Sequence, residues 1–127
     1  MKINGMDHIV MTTADVDKCI HFYRDVLGMR HENKNGRHAL YFGNSKINIH
    51  TRPGEFQPAA ARPTAGSLDF CFVVDSLIDE VIKEIESKQW QIESGPLPRH
   101  GAMGEMESIY LRDPDGNLVE LASYRQG

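Results

Sequence analysis

No run of this sequence approaches the roughly 20 consecutive apolar residues that cross a bilayer as a helix. Met1-Lys2-Ile3-Asn4-Gly5 leads into a polar strand with no apolar signal core behind it. A membrane is therefore not an expected partner, and the expected location is cytoplasmic. Basic character is also missing: the net charge is −4 and no basic stripe occurs, which argues against nucleic acid, whose affinity comes largely from phosphate neutralisation. Cysteine is limited to Cys19 and Cys71, which fall in a helical and a strand pattern and read as reduced packing residues. Gly/Ser tracts and long single-sign runs are absent too. With 40 % hydrophobic and 25 % charged residues, the chain has the composition of a compact protein, expected to form one domain over residues 1–127 and to bind a small molecule.

What is present is a pattern of short strands. Asp7 to Thr13 alternates Ile9 and Met11 with His8, Val10 and Thr12, the period of a half-buried strand. Ala14-Asp15 offers an N-cap, and Val16, Cys19, Ile20, Tyr23, Val26 and Leu27 recur at helical spacing before Gly28. This predicts a helix over 15–27 closed by a glycine. Extended segments follow at 29–33, 37–42 and 46–51, separated by Asn35-Gly36 and Gly43-Asn44, pairs that accept the positive φ of tight hairpin turns.

The order then repeats. Leu68 to Val74 alternates, Asp75-Ser76 is placed to cap a helix carrying Leu77, Ile78, Val81, Ile82 and Ile85, and 91–93, 106–112 and 118–123 read as strands. Overlaying Asp7 to Met11 on Leu68 to Phe72 sets His8 over Asp69, at an offset of 61 residues. The fold class is α+β: a βαβββ module over 5–51, a linker over 52–66 and a second βαβββ module over 67–124. The linker, with Pro53, Pro58 and Pro63, is also able to fold over a site. Residues 94–105, with Pro96, Pro98 and three glycines around Arg99-His100, read as a loop acting as lid or substrate contact.

Strand parity carries the chemistry, because residues two apart share a face. His8, Asn48, His50, Asp69 and Glu120 all lie opposite their strands' large apolar residues. If the apolar faces pack on the helices, the remaining faces form a semi-polar trough. Imidazole and carboxylate donors suit Zn, Mn, Fe, Ni or Co, so the candidate metal ligands are His8, Glu120, Asp69 and His50. A lone strand histidine is more often a hydrogen-bonded structural residue; recurrence at equivalent places of two units is what favours a site. Tyr110 and Ser108 share a face of the penultimate strand and can meet a polar substrate, and Arg99 and Arg112 are placed to meet an anionic one. The Asp113-Pro114-Asp115-Gly116 run is a turn that aims Glu120 inward.

Asp7-His8-Ile9-Val10, the stretch from Asp15 to Met29, and Arg112-Asp-Pro-Asp-Gly-Asn-Leu-Val-Glu-Leu121 together resemble the vicinal oxygen chelate superfamily. Its members include glyoxalase I, extradiol dioxygenases, fosfomycin-resistance thiol transferases, methylmalonyl-CoA epimerases and metal-free bleomycin-binding proteins. Lys46 to His50, Gly66 to Cys71 and Gly95 to Gly101 most resemble the branch called glyoxalase domain-containing protein 5. The resemblance implies a curved mixed sheet around a central cavity, a divalent ion, a substrate chelating it through adjacent oxygens, and a homodimer. His8 and Glu120 fall on the family's first and last ligand positions, Asp69 where many members have His, and Asn48 where glyoxalase I has a carboxylate or amide. The implied activity is glyoxalase-type lyase or isomerase chemistry, or dioxygenase chemistry, with Glu120 or Asp69 moving a proton; the alternative is metal-free small-molecule sequestration. An amide at position 48 cannot serve as the carboxylate base of glyoxalase I chemistry.

Overall fold

In the computed structural model, which describes residues 1–126, backbone contacts divide the chain into two compact units, Met1–Gly66 and Ser67–Gly127. In the first unit β1 (His8–Thr12) is followed by α1 (Val16–Ile20), a π-helical segment His21–Val26, β2 (Arg30–Lys34), β3 (Arg37–Phe42) and β4 (Ser45–His50). The second contains β5 (Asp69–Val73), α2 (Ile78–Ser87), β6 (Ser94–Gly101), β7 (Gly104–Arg112) and β8 (Leu118–Ser123). Each is a βαβββ module built on a four-stranded mixed sheet, in the orders β1-β4-β3-β2 and β5-β8-β7-β6. The crossover pairs β1·β4 and β5·β8 are parallel and the hairpin pairs antiparallel, as expected when one helix separates the first two strands of a module.

Burial follows strand parity. In the first unit Met11, Leu40, Ile47 and Ile49 pack with Cys19, Phe22 and Tyr23 from the helical segment, leaving the alternate residues on the opposite face. The helix begins with Asp15, whose Oδ1 accepts the Lys18 N–H at 3.1 Å, a cap of the expected kind. Its second half departs from the predicted α-helix. Leu27 N–H reaches back to the Phe22 carbonyl, an i→i+5 closure, and the wider turn sets the adjacent Phe22 and Tyr23 both fully inside. Gly28 at φ +81° ends the segment, as the sequence indicates.

The second unit buries Ile78, Val81 and Ile85 of α2 at spacings of three and four, with Ile109, Leu111, Val119 and Leu121 of the sheet. Three sequence expectations change here. Leu77, not the Asp75-Ser76 pair, is the N-cap of α2, with no side-chain cap bond. Residues 91–93 join no ladder, although the Glu93 N–H still bonds the Tyr110 carbonyl at 2.8 Å. Residues 94–105 are not a loop or lid but the β6–β7 hairpin, with β6 on the outside of the sheet. An edge strand tolerates Pro96 and Pro98 because it needs ladder donors on one side only.

The expected linker is part of the first unit. Thr51 N–H donates to Glu55 Oε1 at 2.8 Å, and the Phe56 ring stands edge-on to His50 with centroids 5.3 Å apart. Among the described residues no helix is long and apolar enough to cross a membrane.

Candidate functional site

The polar face of the first unit is set by register. His8 pairs with Lys46, Val10 with Asn48 and Thr12 with His50. His8 is exposed, and its Nδ1–H donates to Asp7 Oδ1 at 2.8 Å. A carboxylate on one ring nitrogen fixes the tautomer and leaves Nε2 with its lone pair free, the arrangement that ligating histidines require. His50, only 6 % exposed, has a buried Nδ1 with no hydrogen-bond partner. The two histidines are not brought together: four residues of strand, about 13 Å, separate them along the β1·β4 pair. Beside His50 a cavity of ≈ 250 Å³ is lined by Lys34, Arg37, Tyr41, Asn48 and Phe56, among others.

In the second unit Glu120 lies opposite Cys71 on one side and Tyr110 on the other. Its Oε2 is buried and unpartnered, as is Ser108 Oγ, two residues before Tyr110 on the same face. Arg99 Nε donates to Tyr110 Oη at 2.8 Å, and its guanidinium lies 5.4 Å from the Tyr110 ring centre. The structure thus groups Glu120, Tyr110, Ser108 and Arg99 on one face. Next to them Arg99, His100, Glu105, Met106 and Glu107 border a cavity of ≈ 510 Å³. Asp69 sits level with Leu118, one pleat repeat from Glu120. Arg112 is engaged elsewhere, donating to Glu93 Oε1 at 3.0 Å and to the Gly116 carbonyl at 3.2 Å; the Glu93 bond raises its pKa, with Asp69 adding a smaller push.

Cys71 corrects an expectation. Its residue is exposed, on Glu120's face and not in the core; partial burial, with the Glu120 carboxylate beside it, pushes the thiol up to about 11. Such a thiol is a poor nucleophile near neutrality.

Among the described residues no three His, Cys, Asp or Glu side chains group closely enough to hold a metal ion. Taken singly, two of the side chains have the chemistry of metal ligands. Glu120 offers an orphaned carboxylate oxygen and His8 a pre-oriented imidazole, and both are hard or borderline donors for first-row divalent ions. Register also makes the units equivalent: His8, Lys46 and Asn48 occupy the places of Asp69, Leu118 and Glu120. Two contributors escaped the sequence reading. Asp7, read as the start of the strand alternation, lies just before β1 and its bond to His8 has no periodic signature, whereas Phe56 lies in a proline-rich segment whose docking on His50 nothing local announces.

Comparison with known proteins agrees with this architecture. Residues 5–121 match the model of the Glyoxalase/Bleomycin resistance protein/Dioxygenase superfamily. The chain is 47 % identical over 125 residues to Virulence protein STM3117 of Salmonella typhimurium, covering 98 % of this chain and 87 % of that one. The crystal structure of STM3117 superposes with a TM-score of 0.93 and covers 98 % of this chain and 100 % of that one. Glyoxalase domain-containing protein RDO1 of Mycosarcoma maydis is 44 % identical over 98 % of this chain and 71 % of its own length. A lactoylglutathione lyase from Agrobacterium tumefaciens, 26 % identical, superposes with a TM-score of 0.74 over 97 % of this chain and 96 % of its own. Paired βαβββ modules, their matching registers and these likenesses place the chain in the glyoxalase/bleomycin resistance protein/dioxygenase superfamily.

Proposed function

We propose that this chain is a divalent-metal-dependent enzyme, of lyase, isomerase or dioxygenase type, acting on a small substrate that chelates the ion through adjacent oxygens. Within the superfamily we place it near glyoxalase domain-containing protein 5. Two observations, one in each unit, support the reading: His8 is oriented by the Asp7 carboxylate, and Glu120 has a buried Oε2 with no partner.

We assign His8 and Glu120 as ligands and Asp69, at the place equivalent to His8, as the third. His50 is less suited, because its ring lies level with Thr12 and not with His8. Bound there, a divalent ion supplies Lewis acidity toward the substrate's oxygens. Tyr110, cross-strand from Glu120, has its hydroxyl held by Arg99, and Ser108 Oγ is unpartnered on the same face; both can orient a substrate oxygen. Glu120 Oε2 can take or return a proton when it is not engaged with the ion. A homodimer in a cytoplasmic setting belongs to the same proposal.

Cobalt(II) titration of the apo-protein tests it. A saturable visible spectrum that disappears in His8→Ala and in Glu120→Ala is expected; identical spectra in all three proteins would refute the ligand assignment. Exposed Val10 and Val73, 46 % and 60 % accessible on the same faces, favour a second reading, metal-free sequestration of an apolar small molecule. Absence of any cobalt binding, with retained folding, would support it.

A further inference from the structure

The two units carry opposite charge: residues 1–66 hold nine Lys and Arg against six Asp and Glu, and residues 67–127 hold five against twelve. In the first unit Arg30, Lys34, Arg37 and Lys46 share the polar face, with Glu32 among them. Asn35 at φ +55° and Gly36 at φ +83° close a tight hairpin, pinned by Gly36 N–H donating to Asn33 Oδ1 at 2.9 Å. That turn sets Lys34 directly opposite Arg37. Like charges directly opposite across an antiparallel pair repel, and among the described residues neither pairs with a carboxylate within 4 Å. Arg30, by contrast, has Glu32 at 3.7 Å.

The Arg37 guanidinium lies 4.1 Å from the Phe56 ring centre, and Phe56 in turn stands against His50. Stacking holds the guanidinium over the cavity and leaves its N–H edge available. His50, more than nine-tenths buried, lines the same cavity, and its buried Nδ1 has no hydrogen-bond partner. Three cations without an ion pair among the described residues, Lys34, Arg37 and Lys46, line one concavity whose single carboxylate, Glu32, is already engaged by Arg30 and Tyr41, so positive charge is in excess there.

We propose that Lys34, Arg37 and His50 form a subsite for an anionic group, a carboxylate or phosphate, carried by an elongated substrate. This deepens the enzyme reading and rests on it for the position of the reacting end, because about 13 Å of strand separates His50 from His8. The substrate is then an organic acid or phosphate ester whose chelating oxygens and anionic arm lie at opposite ends. An arginine fork suits either anion, and Lys34 adds a point charge.

The test uses metal-free full-length protein and two probes, inorganic phosphate and malonate, each titrated at constant ionic strength and followed by amide and imidazole NMR shifts. Saturable shifts at residues 34–37 and the His50 ring are expected with at least one probe. The pair Lys34→Gln/Arg37→Gln, both exposed, should weaken that binding by about tenfold or more. Phosphate alone binding identifies a phosphorylated substrate, and malonate alone a carboxylic acid. Lack of saturation with either probe, or shifts unchanged in the double variant, overturns the subsite. His8→Ala separates the two claims: it should keep anion binding while losing metal. Metal binding without anion binding sinks the subsite alone, and anion binding without metal sinks the enzyme reading alone.

Discussion

Removing the Asp113 side chain should cost several kcal/mol of stability, because this carboxylate holds both the turn of the last hairpin and the start of β5. Asp113 is 4 % exposed. Its Oδ1 accepts from the Asp115 and Asn117 N–H groups, each at 2.9 Å, and its Oδ2 from Asn117 Nδ2 at 2.7 Å. Asn117, 1 % exposed, passes the order on: its Oδ1 accepts the Leu68 N–H at 2.8 Å, and Leu118 N–H bonds the Leu68 carbonyl at 3.0 Å. Hydrogen bonds to a charged acceptor contribute about 1.5–3 kcal/mol each, and a buried donor left alone costs about 1–3 kcal/mol. The Asp115 N–H can turn to water, whereas the two Asn117 donors cannot. Asp113→Ala should therefore destabilise by about 4 kcal/mol, a large share of the usual 5–15 kcal/mol, and lower Tm by about 15 °C. Asp113→Asn keeps one acceptor but sets two amide donors face to face, for about 2 kcal/mol. Urea unfolding followed by far-UV circular dichroism measures both. A loss within about 1 kcal/mol for Asp113→Ala, or one matched by a change at exposed Pro114, would refute the idea that this network sets the β8 register.

The remaining predictions concern titration. His31 Nε2 and His38 Nδ1 share a hydrogen bond at 2.9 Å, and burial, with the His38 and Arg24 charges, lowers the His31 pKa from 6.5. The unfolded chain then binds the proton more readily, so stability should fall as pH falls through about 6.5; comparing urea midpoints at about pH 7 and about pH 5.5 should show a smaller drop in His31→Gln. Asp25, held down to about 2 by its bonds to Arg24 and His21, stays ionised in that window, and an equal drop in both proteins would contradict the assignment. Cys71, at about 11 instead of 9.0, should react with a disulfide reagent near neutral pH about tenfold more slowly than a model thiol, since higher nucleophilicity offsets part of the lost thiolate. Glu120→Gln should recover a part of the rate; an unperturbed rate in the wild type would contradict the thiol's burial, and a Glu120→Gln rate equal to the wild type's would contradict the carboxylate's contribution.

Much of this architecture is legible in the sequence because strands of period two declare their faces. The alternations around His8, Asn48, Asp69 and Glu120 put these residues on the polar faces where the structure has them, and Asn35-Gly36 and Gly28 mark turns that positive φ requires. The β6 strand was hidden because prolines that signal a loop in a central strand are harmless at an edge. The π-helical closure at Leu27 leaves no periodic trace, since Phe22 and Tyr23 fit an α-helix of either phase. Cys71 misleads for a different reason: its apolar chemistry suggests the core, whereas its parity with Asp69 and Glu120 decides its face. Whether His8 and His50 can share an ion is a question of register, and four residues of offset along a strand pair appear only once β1 and β4 are aligned.

Metal content decides the central claim. Untagged protein, purified without chelators and analysed by plasma mass spectrometry, should carry close to one divalent ion per chain, and His8→Ala and Glu120→Ala should each carry almost none while remaining folded by circular dichroism. Wild-type protein that holds no ion even after incubation with Mn, Fe(II), Co, Ni and Zn would contradict the account, as would full loading of both variants.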